Sequence, residues 1–99
     1  MTAADNLVFT PECRTRTGSN ELQIANTQYR GVNIAERTFI PWNIFRKTVV
    51  QYVVDLQLPM DTEVKGGEMS QYYYTSEGYG LPVFDQLEDA VEFIDKFKS

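Results

Sequence analysis

The fold class is decided by residues 85–97, with the sequence DQLEDAVEFIDKF. Asp85 is a good N-cap residue, and Glu88 three positions later completes a capping-box-like pair. Acidic residues near the start and lysines near the end also suit the helix dipole. The pattern predicts a helix over residues 86–97, and it should pack on a sheet because a single short helix is marginal alone. Its apolar side chains recur at helical spacing and form one stripe: Leu87, Ala90, Val91, Ile94 and Phe97.

Upstream of the helix, short apolar runs alternate with turn residues, which is typical of an antiparallel sheet. Either Asn26-Thr27 or Arg30-Gly31 reverses the chain early on, and Gly66-Gly67 suits a tight hairpin because glycine tolerates positive φ. Pro11 and Pro82 place their neighbouring runs at sheet edges, because proline cannot donate to a ladder. The expected strands are 7–9, 21–24, 28–34, 38–40, 47–57, 62–64, 69–75 and 81–84.

The apolar residues of the segment over residues 42–57 fit both helical and strand spacing. Its apolar residues from Trp42 to Leu56 fall at helical spacing. Residues 48–54, however, are dominated by β-branched and aromatic side chains, which favour a strand. We predict a long strand over residues 47–57 with a helical turn at 42–45, and the helical alternative stays open at this point.

Together these patterns predict one α+β domain over residues 1–99. It has an antiparallel sheet of about four to six strands, packed by the C-terminal helix, and residues 1–6 are expected to be flexible. No apolar stretch is long enough for a membrane span, and the N-terminus lacks a secretion signal. Cys13 is the only cysteine, which favours a soluble protein of the cytoplasm. We expect Cys13 to be inert, although its reactivity depends on an environment that sequence does not show.

The chain contains no histidine, and this limits its chemistry. The commonest general base and the commonest metal ligand are both missing, so a Ser–His or Cys–His nucleophile and the usual zinc sites are excluded. Carboxylate pairs such as Glu88/Asp89 suit a solvated helix face better than catalysis. We therefore predict no enzyme activity, no metal and no cofactor. A small enzyme or ligand-binding fold using carboxylates and tyrosines remains the weaker alternative.

Charge is distributed unevenly along the chain. Residues 51–99 hold ten acids and three lysines, a net charge of −7, whereas residues 1–50 have a net charge of +2. Residues 14–20 are a loop by composition and lack the Lys-Ser/Thr of a P-loop. A nucleic-acid-binding module is the main alternative function, although an acidic chain makes it less favoured. It would use the basic residues of the first half: Arg14, Arg16, Arg30, Arg37, Arg46 and Lys47.

Tyrosines cluster around the hairpin that precedes the helix. In a strand over this segment, Tyr72 and Tyr74 face one way and Tyr73 the other, with Tyr79 in a glycine-flanked turn. Tyrosine is enriched at binding surfaces because it supplies contact area at low entropic cost. The predicted partner-binding residues are Tyr72, Tyr74, Tyr79, Glu77 and Trp42.

These features predict a non-enzymatic protein-binding module, a small adaptor or inhibitor that uses an acidic, tyrosine-rich surface. By analogy of size and acidity alone, such chains include phage and mobile-element proteins that block host defence machinery. The expected partner is another protein, with nucleic acid less favoured and no membrane contact. An edge strand near residues 7–9 or 81–84 would also allow a homodimer.

Overall fold

The chain opens with a three-strand antiparallel meander in the computed structural model, which describes residues 6–17, 20–42 and 45–99. Arg30 and Gly31 both adopt positive φ, 52° and 80°, and this tight turn joins the second strand to the third. The Arg30-Gly31 turn is therefore confirmed, and the strand runs unbroken through Asn26-Thr27. The three strands are β1 (Thr10–Thr17), β2 (Asn20–Tyr29) and β3 (Val32–Pro41).

The rest of the sheet contains four shorter strands. The last of them has partners on both sides, because Phe84 pairs with Tyr52 on one side and with Gly67 on the other. The sheet is open and antiparallel with seven strands, so the α+β class is confirmed. The count exceeds the expected range because a two-residue strand leaves no periodic signal. The four strands are β4 (Val49–Val54), β5 (Leu58–Pro59), β6 (Gly67–Ser70) and β7 (Tyr79–Phe84).

The N-terminal expectations need correction. Residues 7–9 precede β1, and Leu7 and Phe9 pack onto the core as side chains. Pro11 instead lies within β1, which is an edge strand with a register irregularity between Pro11 and Cys13. The expected loop at residues 14–20 is wrong over residues 14–17, which belong to β1, and at Asn20, which begins β2; residues 18 and 19 lie outside the described residues.

β7 is also placed differently from the expectation for residues 81–84. It lies between β4 and β6 and is buried after its first residue, Tyr79, so the predicted edge position is wrong. Pro82 is tolerated because the β4 ladder ends at Val53↔Val83 and the β5 ladder begins at Leu58↔Gly80, which leaves Pro82 opposite the gap. Neither segment expected to form an edge-strand homodimer is therefore an edge strand.

The predicted tyrosine hairpin has different strand limits. Gly67 lies in β6 and residues 62–64 are not a strand. Residues 71–78 form the connection between β6 and β7, so Tyr72 and Tyr74 are in a loop, while Tyr79 begins β7. The strand over 47–57 is confirmed over Val49–Val54, and the expected turn at 42–45 includes residues 43 and 44, which lie outside the described residues.

The predicted C-terminal helix is confirmed as α1 (Leu87–Lys98). The N-cap position is occupied by Gln86 in extended conformation, with no side-chain cap hydrogen bond, so the capping role predicted for Asp85 is wrong. Gln86 is still extended (φ −120°, ψ 134°), so the helix begins one residue later than the capping box requires. Among the described residues, no helix has the length and apolar character needed to cross a membrane.

Two apolar clusters form on opposite faces of the sheet. On one face, α1 contributes Ala90 and Ile94 to a core with Ile34, Val54 and Phe84. Strand alternation turns the intervening residues to the other face. There, a smaller cluster consists of the buried residues Val53, Leu81 and Val83, with Ala35 and Tyr72 packed against it.

Candidate functional site

The face of the sheet opposite α1 carries the candidate site, which we call the tyrosine face. Ala35, Arg37 and Phe39 share this face because they alternate along β3. The register then places the side chains of β4 beside them, with Arg37 opposite Gln51 and Phe39 opposite Val49. In the described part of the chain, the covering of this face comes from the loop over residues 71–78 rather than from a helix.

Thr75 organises that loop. Its hydroxyl donates to the Tyr72 carbonyl at 2.7 Å, and its amide donates to the same carbonyl at 3.0 Å. The Tyr72 amide also lies 3.3 Å from the Thr75 hydroxyl oxygen. These contacts make a tight turn, in the manner of side chains that hydrogen-bond nearby backbone. The turn directs the Tyr72 ring onto the small apolar cluster of the sheet.

Five side chains form what we call the aromatic–arginine stack: Phe39, Arg37, Tyr72, Tyr74 and Tyr73. The Arg37 guanidinium carbon lies 5.2 Å from the centroid of the Phe39 ring and 5.6 Å from that of Tyr72. Tyr72 and Tyr74 are stacked with centroids 5.5 Å apart, and Tyr73 meets Tyr74 edge-on at 5.5 Å. These separations are within the range of favourable cation–π and aromatic contacts.

The prediction that Tyr73 faces away from Tyr72 and Tyr74 is wrong. Alternation between faces applies to strands, and these residues lie in a turn. Tyr73 is 100% exposed and Tyr74 is 56% exposed, although both belong to an ordered ring cluster. Burial raises the pKa of the Tyr74 phenol, and the neighbouring Tyr72 and Asp55 raise it further. The phenol therefore stays neutral and can donate hydrogen bonds at physiological pH.

The remaining predicted partner-binding residues are exposed. Tyr79 begins β7 opposite Pro59, and by strand alternation it shares the tyrosine face with Leu81. Glu77 lies in the turn before it. Trp42 directly follows β3 and is exposed. The structure therefore joins Tyr72 and Tyr74 in one stack, whereas Tyr79 and Glu77 lie at the far end of the same loop.

The six basic residues of the alternative function do not form one patch, although Arg37, Arg46 and Lys47 lie near Phe39. Arg14 is paired with Glu21 at 3.1 Å, a contact that also holds the pKa of that carboxyl below its usual value. Arg30 is paired with Asp95 at 3.1 Å. Arg37 lies in the stack, and the Arg16 side chain is outside the described residues. The exposed pair Arg46 and Lys47 lines a shallow cavity of about 440 Å³ next to Phe39.

The acids of the second half are divided between the two sides of the sheet. Four of the ten lie on α1: Glu88, Asp89, Glu92 and Asp95. On the tyrosine face, by contrast, Arg37 lies among apolar and aromatic side chains. The acidic surface and the tyrosine cluster, predicted as one, overlap only in part, because Glu77 lies in the loop over residues 71–78 and Glu68 pairs with Val83 on the tyrosine face.

Other chemistry-bearing groups are sparse in the described residues. Within residues 6–17, 20–42 and 45–99, no group of three or more Cys, Asp or Glu side chains is placed to hold a metal ion. Cys13 is exposed and forms no disulfide. Tyr29 donates to the Asp95 carboxylate at 2.7 Å, which raises the phenol's pKa, but this contact joins β2 to α1 and serves the fold.

Phe39, Val49 and Tyr73 are the residues of this face that sequence reasoning missed, and Arg37 was assigned only to the alternative function. The alternation of Ala35, Arg37 and Phe39 is a usable signal, because an arginine within an apolar row marks a face that is not a sealed core. Comparisons with known protein families, with curated proteins and with solved structures found no match.

Proposed function

We propose that this protein is a non-enzymatic binding module that recognises another protein through its tyrosine face, as a small adaptor or inhibitor. The observation that carries the proposal is the aromatic–arginine stack. It presents Tyr73 and Tyr74 to solvent while its inner members are held against the sheet. Aromatic and arginine side chains are the residues most enriched at the centres of protein interfaces.

Preorganisation supports this proposal. Thr75 fixes the turn through contacts of 2.7 Å and 3.0 Å to the Tyr72 carbonyl, and the rings hold one another in place. A surface already ordered in the free protein loses less conformational entropy on binding. Val49, opposite Phe39 on the same face, adds exposed apolar area. Exposed apolar area on a protein surface is a feature of interaction sites.

The nucleic-acid alternative receives less support. Strong binding to nucleic acid requires basic side chains gathered on one face. Arg14 and Arg30 are instead engaged by Glu21 and Asp95. We place the proposed function in the cytoplasm, because an exposed Cys13 without a disulfide suits a reducing compartment.

Capture of partners by the immobilised protein from a lysate of its own cells tests the proposal. Tyr74→Ala and Tyr79→Ala remove aromatic surface from the tyrosine face. Phe97→Ala is the matched control, since Phe97 is 49% exposed and lies on α1. Each truncation in the interface should cost more than ~1 kcal/mol, which is more than about a fivefold loss of affinity.

The expected result is a partner lost with the two tyrosine variants and retained with Phe97→Ala. If both tyrosine variants recover the same protein at undiminished yield, the tyrosine face is not the interface. Thr75→Val supplies a further check, because it removes the hydroxyl that holds Tyr72 but deletes no aromatic side chain. It should weaken capture less than Tyr74→Ala does.

A further inference from the structure

Three cationic side chains surround the Phe39 ring where β3 and β4 lie side by side. The Arg37 guanidinium lies 5.2 Å from the ring centroid on the side of the stack. Arg46 and Lys47, with Phe39 and Val49, line a cavity of about 440 Å³. This end of the tyrosine face therefore combines an apolar depression with positive charge.

None of these three cations has an acidic partner within the described ranges. The ion pairs found there join Arg14 to Glu21, Arg30 to Asp95, and both Lys65 and Lys96 to Glu92. Arg37 is half-buried, and its one side-chain hydrogen bond there is a long contact of 3.4 Å to the Tyr72 hydroxyl. A guanidinium has five N–H donors in a planar fork that matches a carboxylate. Within the described residues, the contact to Tyr72 engages one of these five donors.

We infer that the partner segment covering this end of the tyrosine face carries a carboxylate side chain directly beside an apolar one. This inference rests on the proposed function. The carboxylate pairs with Arg37, whose burial makes an ionic hydrogen bond stronger than it is in water. The apolar side chain enters the depression beside Phe39 and Val49. Arg46 and Lys47 attract further acidic residues and speed association.

An acidic protein segment suits this surface better than a nucleic-acid strand does. Base-stacking platforms offer open ring faces within a basic groove. Here the Tyr72 ring already contacts both Arg37 and Tyr74. Hydroxyls and guanidinium N–H groups are left to recognise polar groups of a peptide.

Selection from a displayed library of random 12-residue peptides tests this inference. The bait is the full chain, used as wild type, as Arg37→Glu and as the double variant Arg46→Glu/Lys47→Glu. The double change lies in an exposed segment outside the strands, so it does not disturb the core. Urea denaturation checks that Arg37→Glu is folded. The most enriched peptide is then measured by fluorescence anisotropy, alongside a 12-residue oligothymidylate.

Peptides selected by the wild type should contain Asp or Glu next to an aromatic or branched apolar residue. Peptides selected by Arg37→Glu should instead be enriched in Lys and Arg, because the charge of the recognition group is reversed. The wild-type peptide should bind Arg37→Glu at least ~10-fold more weakly, and the double variant at least ~3-fold more weakly.

The outcomes separate this inference from the proposed function. Selected peptides without excess acidic residues that still lose binding in Tyr74→Ala would refute the carboxylate inference and leave the proposed function standing. Peptides that bind Tyr74→Ala as well as the wild type would contradict the proposed function itself. Oligothymidylate that binds more tightly than any peptide, weakens with salt and is lost in the double variant would establish the nucleic-acid alternative. A selection that enriches no peptide counts against both.

Discussion

Arg37 and Tyr72 should stabilise each other in the free protein, before any partner binds. A cation–π contact at a partly exposed site contributes about 0.5–1 kcal/mol. Arg37 makes two such contacts, at 5.2 Å to Phe39 and 5.6 Å to Tyr72. Arg37→Gln should therefore lower the free energy of unfolding by about 1–2 kcal/mol, with about half of the loss belonging to the Tyr72 contact. The 3.4 Å hydrogen bond is too long to add much.

A double-mutant cycle measures that coupling. Urea denaturation of the wild type, Arg37→Gln, Tyr72→Leu and the double variant gives the four free energies of unfolding. We expect a coupling energy of about 0.5–1 kcal/mol. A control cycle between Arg37→Gln and Ile94→Val, on opposite faces of the sheet, should be additive. A coupling below ~0.3 kcal/mol for Arg37 and Tyr72 would show that the stack is not formed in solution.

Three further predictions concern the fold that supports this face. Ile94→Ala should lower the free energy of unfolding, measured in urea, by about 3 kcal/mol. Ile94 is 0% exposed, so the change removes three buried carbons at ~0.8 kcal/mol each and leaves a cavity. A loss under ~1 kcal/mol would contradict the placement of Ile94 in the core. The hydrogen bond to Asp95 raises the pKa of Tyr29, so the stability that this bond provides is fully present below pH ~10 and declines above it. In alkaline denaturation, Tyr29→Phe should therefore lose less stability than the wild type as the pH rises. Identical curves for the two proteins would refute the coupling. Gly67→Ala should destabilise by at least ~1 kcal/mol in thermal denaturation, because the added methyl group meets the Val83 carbonyl oxygen, and an unchanged melting temperature would show that β6 is placed differently.

The C-terminal helix was predictable because it depends on local spacing. Ala90, Val91 and Ile94 are buried, as their shared stripe predicts. Phe97 belongs to the same stripe but is 49% exposed, since its burial depends on what lies opposite the last turn. The predicted N-cap is one residue early, because Gln86 occupies that position in extended conformation without a side-chain cap hydrogen bond.

β7 shows where local rules fail. Pro82 favours an edge position, because proline has no N–H to donate to a neighbouring strand. Its central place depends on an interruption between the β4 and β5 ladders, which involves residues more than twenty positions away. The sequence offers no sign of that gap. The same limit applies to Gly66-Gly67, where only Gly66 has positive φ and Gly67 instead permits close approach to β7.

The candidate site was predicted in part. Composition identified Tyr72 and Tyr74, because aromatic residues beside turns are unusual enough to be noticed. Joining them to Arg37 required the register of β3 with β4 and the path of the loop over β7. Both are long-range properties, and the single sequence instead assigned Arg37 to the nucleic-acid alternative.

The loop over residues 71–78 has a second consequence, for the order in which the chain folds. It closes the β6–β7 hairpin, whereas β4 lies much further from β7 in the sequence. Short closures are faster than long ones, so we expect the hairpin to form first and to dock on β4 as a unit. The segment that displays the tyrosines therefore also governs an early kinetic step. We therefore expect substitutions in this loop that favour a new partner to be tolerated only where β6 and β7 still pair quickly.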